Sequence, residues 1–171
     1  MTMKGTSYSG LYNNNGLSFL CKDMTFTQCG YGVFARNTKG RLINCVITQC
    51  QYSGIFCTGY ALVELEGDQT KVDGNGTSGY GHGLRPYDPS STIHLLFPLT
   101  KESVSTNNRY GRNYGGNGTI ETVAPFNNST TSTTTNWKHG LSMRREIEEK
   151  KLFFIVSANK KHAGKLCSTY M

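Results

Sequence analysis

The residues whose types could carry covalent chemistry lie near the middle of the chain: Glu64, Glu66 and Asp68, then His82 and His94. The three acids alternate, so an extended strand would gather their carboxylates on one face. Sugar hydrolysis needs two carboxylates facing the scissile bond, about 5 Å or about 6.5–9.5 Å apart according to stereochemical outcome. Calcium-assisted elimination would need several oxygen ligands beside a basic residue. The same alternation on an outward strand face simply keeps a sheet soluble. A second set is aromatic and basic: Tyr80, Arg85, Tyr87, Arg109, Tyr110, Arg112 and Tyr114. Tyrosine stacks on sugar rings and supplies contact area at low entropy cost, so these seven are the expected binding residues. No catalytic residue is assigned. Nothing pairs His94 with a nucleophile, and neither a phosphate-binding loop nor a nucleophile elbow occurs. No metal or cofactor is expected either, because the six cysteines form no C-x-x-C pair.

The elements that must position these groups are repeats. Asp23-Met24-Thr25-Phe26-Thr27-Gln28-Cys29-Gly30-Tyr31-Gly32-Val33-Phe34 matches Asn44-Cys45-Val46-Ile47-Thr48-Gln49-Cys50-Gln51-Tyr52-Ser53-Gly54-Ile55-Phe56. The interval is about 21 residues without helical spacing, which points to a stacked β-coil. In this register Cys21, Leu42 and Leu62 align, as do Met24, Cys45 and Leu65, while Asp23, Asn44 and Glu64 form a polar corner. Tyr8 to Tyr12 copies Tyr52 to Phe56; Thr92 and Thr119 restart the Leu62 position. One such coil cannot bury its own inner face, whereas stacking coils about 4.8 Å apart pairs every strand in parallel and lines like residues into ladders, Cys29 over Cys50 among them. Gly67 to Pro89 and Thr100 to Gly118 leave the short period and read as loops bulging from successive coils. Pro86 and Pro89 argue against an interior ladder there.

The expected fold is therefore all-β, a parallel β-helix of about four to five coils. The repeats resemble those of right-handed, pectin-lyase-like β-helix proteins, and Ala61 to Asn75 and Ile93 to Val123 are similar to uncharacterised algal β-helix repeats. That family mixes polysaccharide-cleaving enzymes with non-catalytic binding domains. Gly81-His82-Gly83-Leu84 resembles a segment of polygalacturonase-like members, and Asn37-Thr38-Lys39-Gly40 and Gly67-Asp68-Gln69 resemble two others. Lys39 and Gln69 stand where that likeness implies acids, and Asp68 and His82 are closer than one whole coil.

The composition divides the chain. The formal charge is +7, yet from Trp137 onward there are eight Lys or Arg against three Glu, and residues 1–136 carry ten basic against eight acidic groups. The β-region is nearly neutral, so no nucleic-acid partner is expected. Residues 1–124 form the repeat domain, with a coil already under way at its start, as in a chain truncated at its N-terminus. Residues 125–136 are a Ser/Thr/Asn-rich linker, and residues 137–171 a basic, mostly irregular tail. In the tail, Ser142 to Lys151 reads as a short helix capped by Ser142, with Glu146 and Lys150 paired. Leu152-Phe153-Phe154-Ile155-Val156 is too short to span a bilayer and suits a lid over one open end of the stack, a membrane-surface contact or an unstructured end. No transmembrane segment and no leader pattern are visible; the compartment stays open, with an intracellular one favoured. Oligomeric state is not encoded in these patterns. The expected function is a non-catalytic module binding protein or polysaccharide through loops on one face. The alternative is a carbohydrate-active hydrolase or lyase, or a degenerate relic of one.

Overall fold

Each sequence repeat becomes one turn of a coil with three short strands. The first turn holds β1 (Thr2–Lys4), β2 (Ser9–Asn13) and β3 (Phe19–Lys22); the second β4 (Thr25–Thr27), β5 (Tyr31–Arg36) and β6 (Lys39–Ile43). The third holds β7 (Val46–Thr48), β8 (Ile55–Thr58) and β9 (Leu62–Glu66), and the fourth β10 (Lys71–Asp73), β11 (Leu84–Pro86) and β12 (Thr92–Leu96). The fifth opens with a short helix, α1 (Lys101–Val104), followed by β13 (Ser105–Thr106) and β14 (Thr119–Val123). This computed structural model describes residues 1–124 and 155–156. The expected linker and the helix over Ser142 to Lys151 lie outside the described residues.

Strands in corresponding positions stack into three parallel sheets: A (β1-β4-β7-β10-β13), B (β2-β5-β8-β11) and C (β3-β6-β9-β12-β14). Sheet C gains a sixth strand, β15 (Ile155–Val156), which lies beside β3 at the N-terminal end of the stack. The result is a nearly all-β solenoid of about five turns. Its corners are made by single residues in the left-handed region: Asp23, Asn44 and Gly67 between sheets C and A, and Gln28, Gln49, Gly74 and Asn107 between A and B, all with φ between 50° and 86°. Asn, Asp and Gly take that conformation most readily, which is why they recur there.

The inner columns are apolar. Phe26, Ile47 and Val72 come from sheet A, Val33, Ile55 and Leu84 from B, and Leu42, Leu65 and Leu95 from C, all fully buried. Cys21, Cys29, Cys45, Cys50 and Cys57 are free, buried thiols. Burial pushes the Cys21 and Cys50 thiols up to about 12 and raises those of Cys45 and Cys57, so they behave as small hydrophobes. The Cys29–Cys50 column continues into asparagine. Asn75 accepts from the Cys50 amide at 3.1 Å and donates to the carbonyls of Ile47 and Asp73 at 3.0 and 3.2 Å. Asn108 carries the column one turn further, its side-chain oxygen accepting from the Asn75 amide at 2.9 Å. These buried amides are satisfied, so they act as specific links between turns.

Two expectations are corrected. The repeat interval is not constant: Thr25 pairs with Val46, Val33 with Ile55 and Lys39 with Leu62, so it lengthens by one residue at each successive corner. Leu42 therefore pairs with Leu65 rather than Leu62, and the corner position of Asp23 and Asn44 belongs to Gly67. Glu64 lies on the flat of β9 instead. The second correction is Pro86, which stands inside β11 opposite Cys57. Its carbonyl accepts from Gly118 above, so its missing N–H faces the fifth turn, where sheet B is reduced to a single Leu84–Tyr114 bridge and needs no donor.

Candidate functional site

The outward side of sheet B is built by a local break in alternation. In Tyr31-Gly32-Val33-Phe34, both Gly32 and Val33 face inward, leaving Tyr31 and Phe34 together on the outside. Only glycine fits at that step, since a Cβ at Gly32 would overlap the Ile47 side chain and one at Gly54 the Val72 side chain. The motif repeats, so the aromatics stack from turn to turn. Tyr12, Phe34 and Phe56 are in register, with ring centroids 5.2 and 5.0 Å apart. Tyr31 and Tyr52 form a second column, also 5.0 Å apart, and Tyr31 meets Phe34 edge-on at 5.3 Å. Tyr8 joins Tyr12 at 5.9 Å, and Tyr87 joins Phe56 at 5.5 Å. The outer members stay open to solvent: Tyr8 is 64% exposed, Tyr12 44%, Tyr52 39% and Tyr87 51%. Burial moves the Tyr31 phenol up, Arg85 opposes this, and Tyr52 and Tyr8 add to it.

At the fourth turn the column becomes cationic. Arg85 takes the position above Phe56, its guanidinium carbon 5.7 Å from the Phe56 centroid and 5.5 Å from that of Tyr87. A planar cation over ring faces prolongs the stacking surface and adds charge. His82 lies one turn below Arg112, and its imidazole fills the space in front of Gly115, where a Cβ would overlap it. Burial, then Arg85 and Arg112, hold the His82 imidazole below its ordinary range and so favour its neutral form. Among the described residues, His82 Nδ1 and Arg85 Nε are buried without a hydrogen-bond partner.

The expected binding residues separate by location. Arg85 and Tyr87 belong to the aromatic face. Arg85 Nη1 donates to the Tyr80 carbonyl at 3.4 Å, and the Tyr80 ring stands free at 78% exposure. Arg112 donates to the Gly79 carbonyl at 3.1 Å, and Arg109 donates to that of Thr77 while stacking on Tyr110 at 5.0 Å. These arginines thus latch the fifth-turn loop onto the loop below it, at the same A–B corner. Tyr114 bridges Leu84 and carries the Lys101 ammonium 4.7 Å from its ring centroid. Tyr8, Tyr12, Tyr31, Phe34, Tyr52 and Phe56 were not among the expected site residues. Their signal was the repeat itself, whose copies each begin with tyrosine and end on an aromatic.

The acids are differently placed. Glu64, 6% exposed, accepts from Arg41 Nε at 2.7 Å and pairs with its Nη2, while Arg41 Nη1 reaches Glu66 at 3.2 Å. The neighbours of Glu64 in adjacent turns are Arg41 and His94, and His94 Nε2 meets Glu121 at 3.0 Å. The column therefore alternates basic and acidic residue types and brings no two carboxylates together in adjacent turns. Among the described residues no His, Cys, Asp or Glu cluster could hold a metal ion, and no helix is long and apolar enough to cross a membrane. No family model, curated protein or solved structure matches this chain.

Proposed function

We propose that the protein is a non-catalytic module that binds carbohydrate through the outer face of sheet B. The observation that carries this reading is the continuous aromatic surface from Tyr8 to Tyr87, with its ring neighbours 5.0–5.9 Å apart and Arg85 stacked at its upper end. A polysaccharide is itself a line of ring-sized units with apolar C–H faces, so a regularly stepped row of rings suits it better than a pocket would. Arg85 and Tyr87 form the upper part of the site, and Tyr80, Arg109, Tyr110, Arg112 and Tyr114 its rim. The right-handed, pectin-lyase-like form of the coil also belongs to this reading; it rests on the resemblance of the repeats and on the strong right-handed preference of parallel crossovers.

The test is affinity electrophoresis against a panel of soluble polysaccharides, comparing the native chain with Tyr12→Ala/Tyr52→Ala. Each ring contributes about 1 kcal/mol of stacking, so the double variant should bind roughly thirtyfold more weakly. No reducing ends and no unsaturated products should accumulate, with or without calcium. Retained affinity in the double variant, or binding of a protein in place of every glycan, would overturn the carbohydrate reading.

A further inference from the structure

The two ends of sheet C are unlike. At the C-terminal end β14 pairs with β12 on one side only and is the last strand of its sheet among the described residues. The amide of Thr119 donates inward to Ser91, so by the alternation of a parallel ladder the amides of Ile120 and Thr122 point to the open side. Ile120, packed against the core, is only half-buried. At the N-terminal end β3 would be an equivalent edge, but β15 lies along it, with Ile155 opposite Leu20 and Val156 opposite Cys21. Thirty residues separate Ala124 from Ile155, a chain length of roughly 100 Å at full extension, against roughly 24 Å for the height of five stacked turns. The same chain can therefore deliver β15 to its own first turn.

We propose that the β3 edge is a strand-addition site which β15 holds closed, and that the strand fitting it when β15 departs is β14 of a second copy. Stacking one solenoid head to tail on another continues sheets A and C in the same parallel sense, while sheet B, reduced in the fifth turn to the Leu84–Tyr114 bridge, is not extended. The registers through sheet C put Ile120 in the inward column of Phe19, and Glu121 in the outward column of Leu20. Glu121 of one copy then lies diagonal to Lys22 of the next, an opposite-charge neighbour across the junction. β14 offers a five-residue strand against the two residues of β15, so it makes the longer ladder. β15 prevails at low concentration because it is tethered, at an effective concentration in the millimolar range. A head-to-tail contact of this kind does not close on itself and grows into open filaments.

The experiment uses the full chain in sedimentation velocity over a wide concentration range. The native protein should stay monomeric. Ile155→Pro/Val156→Pro, which removes both β15 amides, should gain mass steadily with concentration. Adding Thr122→Pro, which removes an outward amide of β14, should restore the monomer. Glu121→Lys, which leaves the backbone intact, should weaken the association severalfold. The proposal fails if the β15 variant remains monomeric throughout, if the native chain associates equally well, or if neither β14 change reverses the association.

Discussion

On sheet C the outward column runs Arg41, Glu64, His94 and Glu121, each polar group answered by a neighbour one turn away. On sheet B the outward column runs Tyr12, Phe34, Phe56 and Arg85, each ring answered by another ring. The backbone is the same in both, since a parallel stack presents like positions every 4.8 Å or so. What differs is satisfaction. The middle of the ionic column is satisfied internally: Glu64 is buried beneath Arg41, with little left to offer a partner, while Glu121 at its end stays 55% exposed. The aromatic column stays partly open, Tyr12 being 44% exposed and Phe34 and Phe56 half-buried, and such open apolar surface gains by meeting another apolar face. A face can thus be densely functionalised and still be structural, whereas the apolar groups left open on sheet B are the surface through which we propose that binding takes place.

The sharpest way to break this contrast is Arg41→Met. It leaves Glu64 buried without its partner and should destabilise the fold by about 3 kcal/mol, read by denaturant melts. Glycan affinity of the folded fraction should not change; a loss there would place the ligand on sheet C. A smaller effect is expected from Tyr110→Ala with Tyr114→Ala, on the rim. Losing about 1 kcal/mol of stacking, this variant should bind roughly fivefold more weakly. A loss equal to that of the Tyr12/Tyr52 variant would move the centre of the site into the loops. A third test lies at the corner joining the two faces. Asp88 accepts from Thr58 Oγ1 and the Gly59 amide, both at 2.7 Å, and from the Ser90 amide at 3.1 Å. Burial pushes its carboxyl up, but the bonds from Ser90, Gly59 and Thr58 prevail and bring it down to about 2 from an ordinary 3.8. With the folded value depressed, the stabilisation is complete above about pH 4 and disappears as pH falls through about 2. Asp88→Asn should therefore lower stability at neutral pH and match the native chain in strong acid; a constant difference at every pH would refute that account.

The solenoid is legible in the sequence because identical residues recur at identical stations. Thr-Gln-Cys appears twice, and Cys29 and Cys50 fall in one inner column. The third-turn register is not, since inserting one residue at a corner leaves Leu62 and Leu65 equally plausible as the inward leucine. Pro86 misleads for a related reason: its cost depends on whether another strand lies above it, which no local pattern reveals. The aromatic face is half-legible. Strict alternation would send Tyr31 and Val33 to one side, and only the tight space at Gly32 explains why Tyr31 and Phe34 share the outside.

The pairing of β15 with β3 also has a consequence in time. β15 pairs with β3 across most of the chain's length, so among the described strand pairings it has the longest loop to close. During synthesis the first turn is complete long before its covering strand exists. At about 5–20 residues per second, the β3 edge stands bare for roughly 7–27 seconds on every nascent chain. On a polysome several such edges would be exposed at once, within reach of neighbouring chains that have just finished β14.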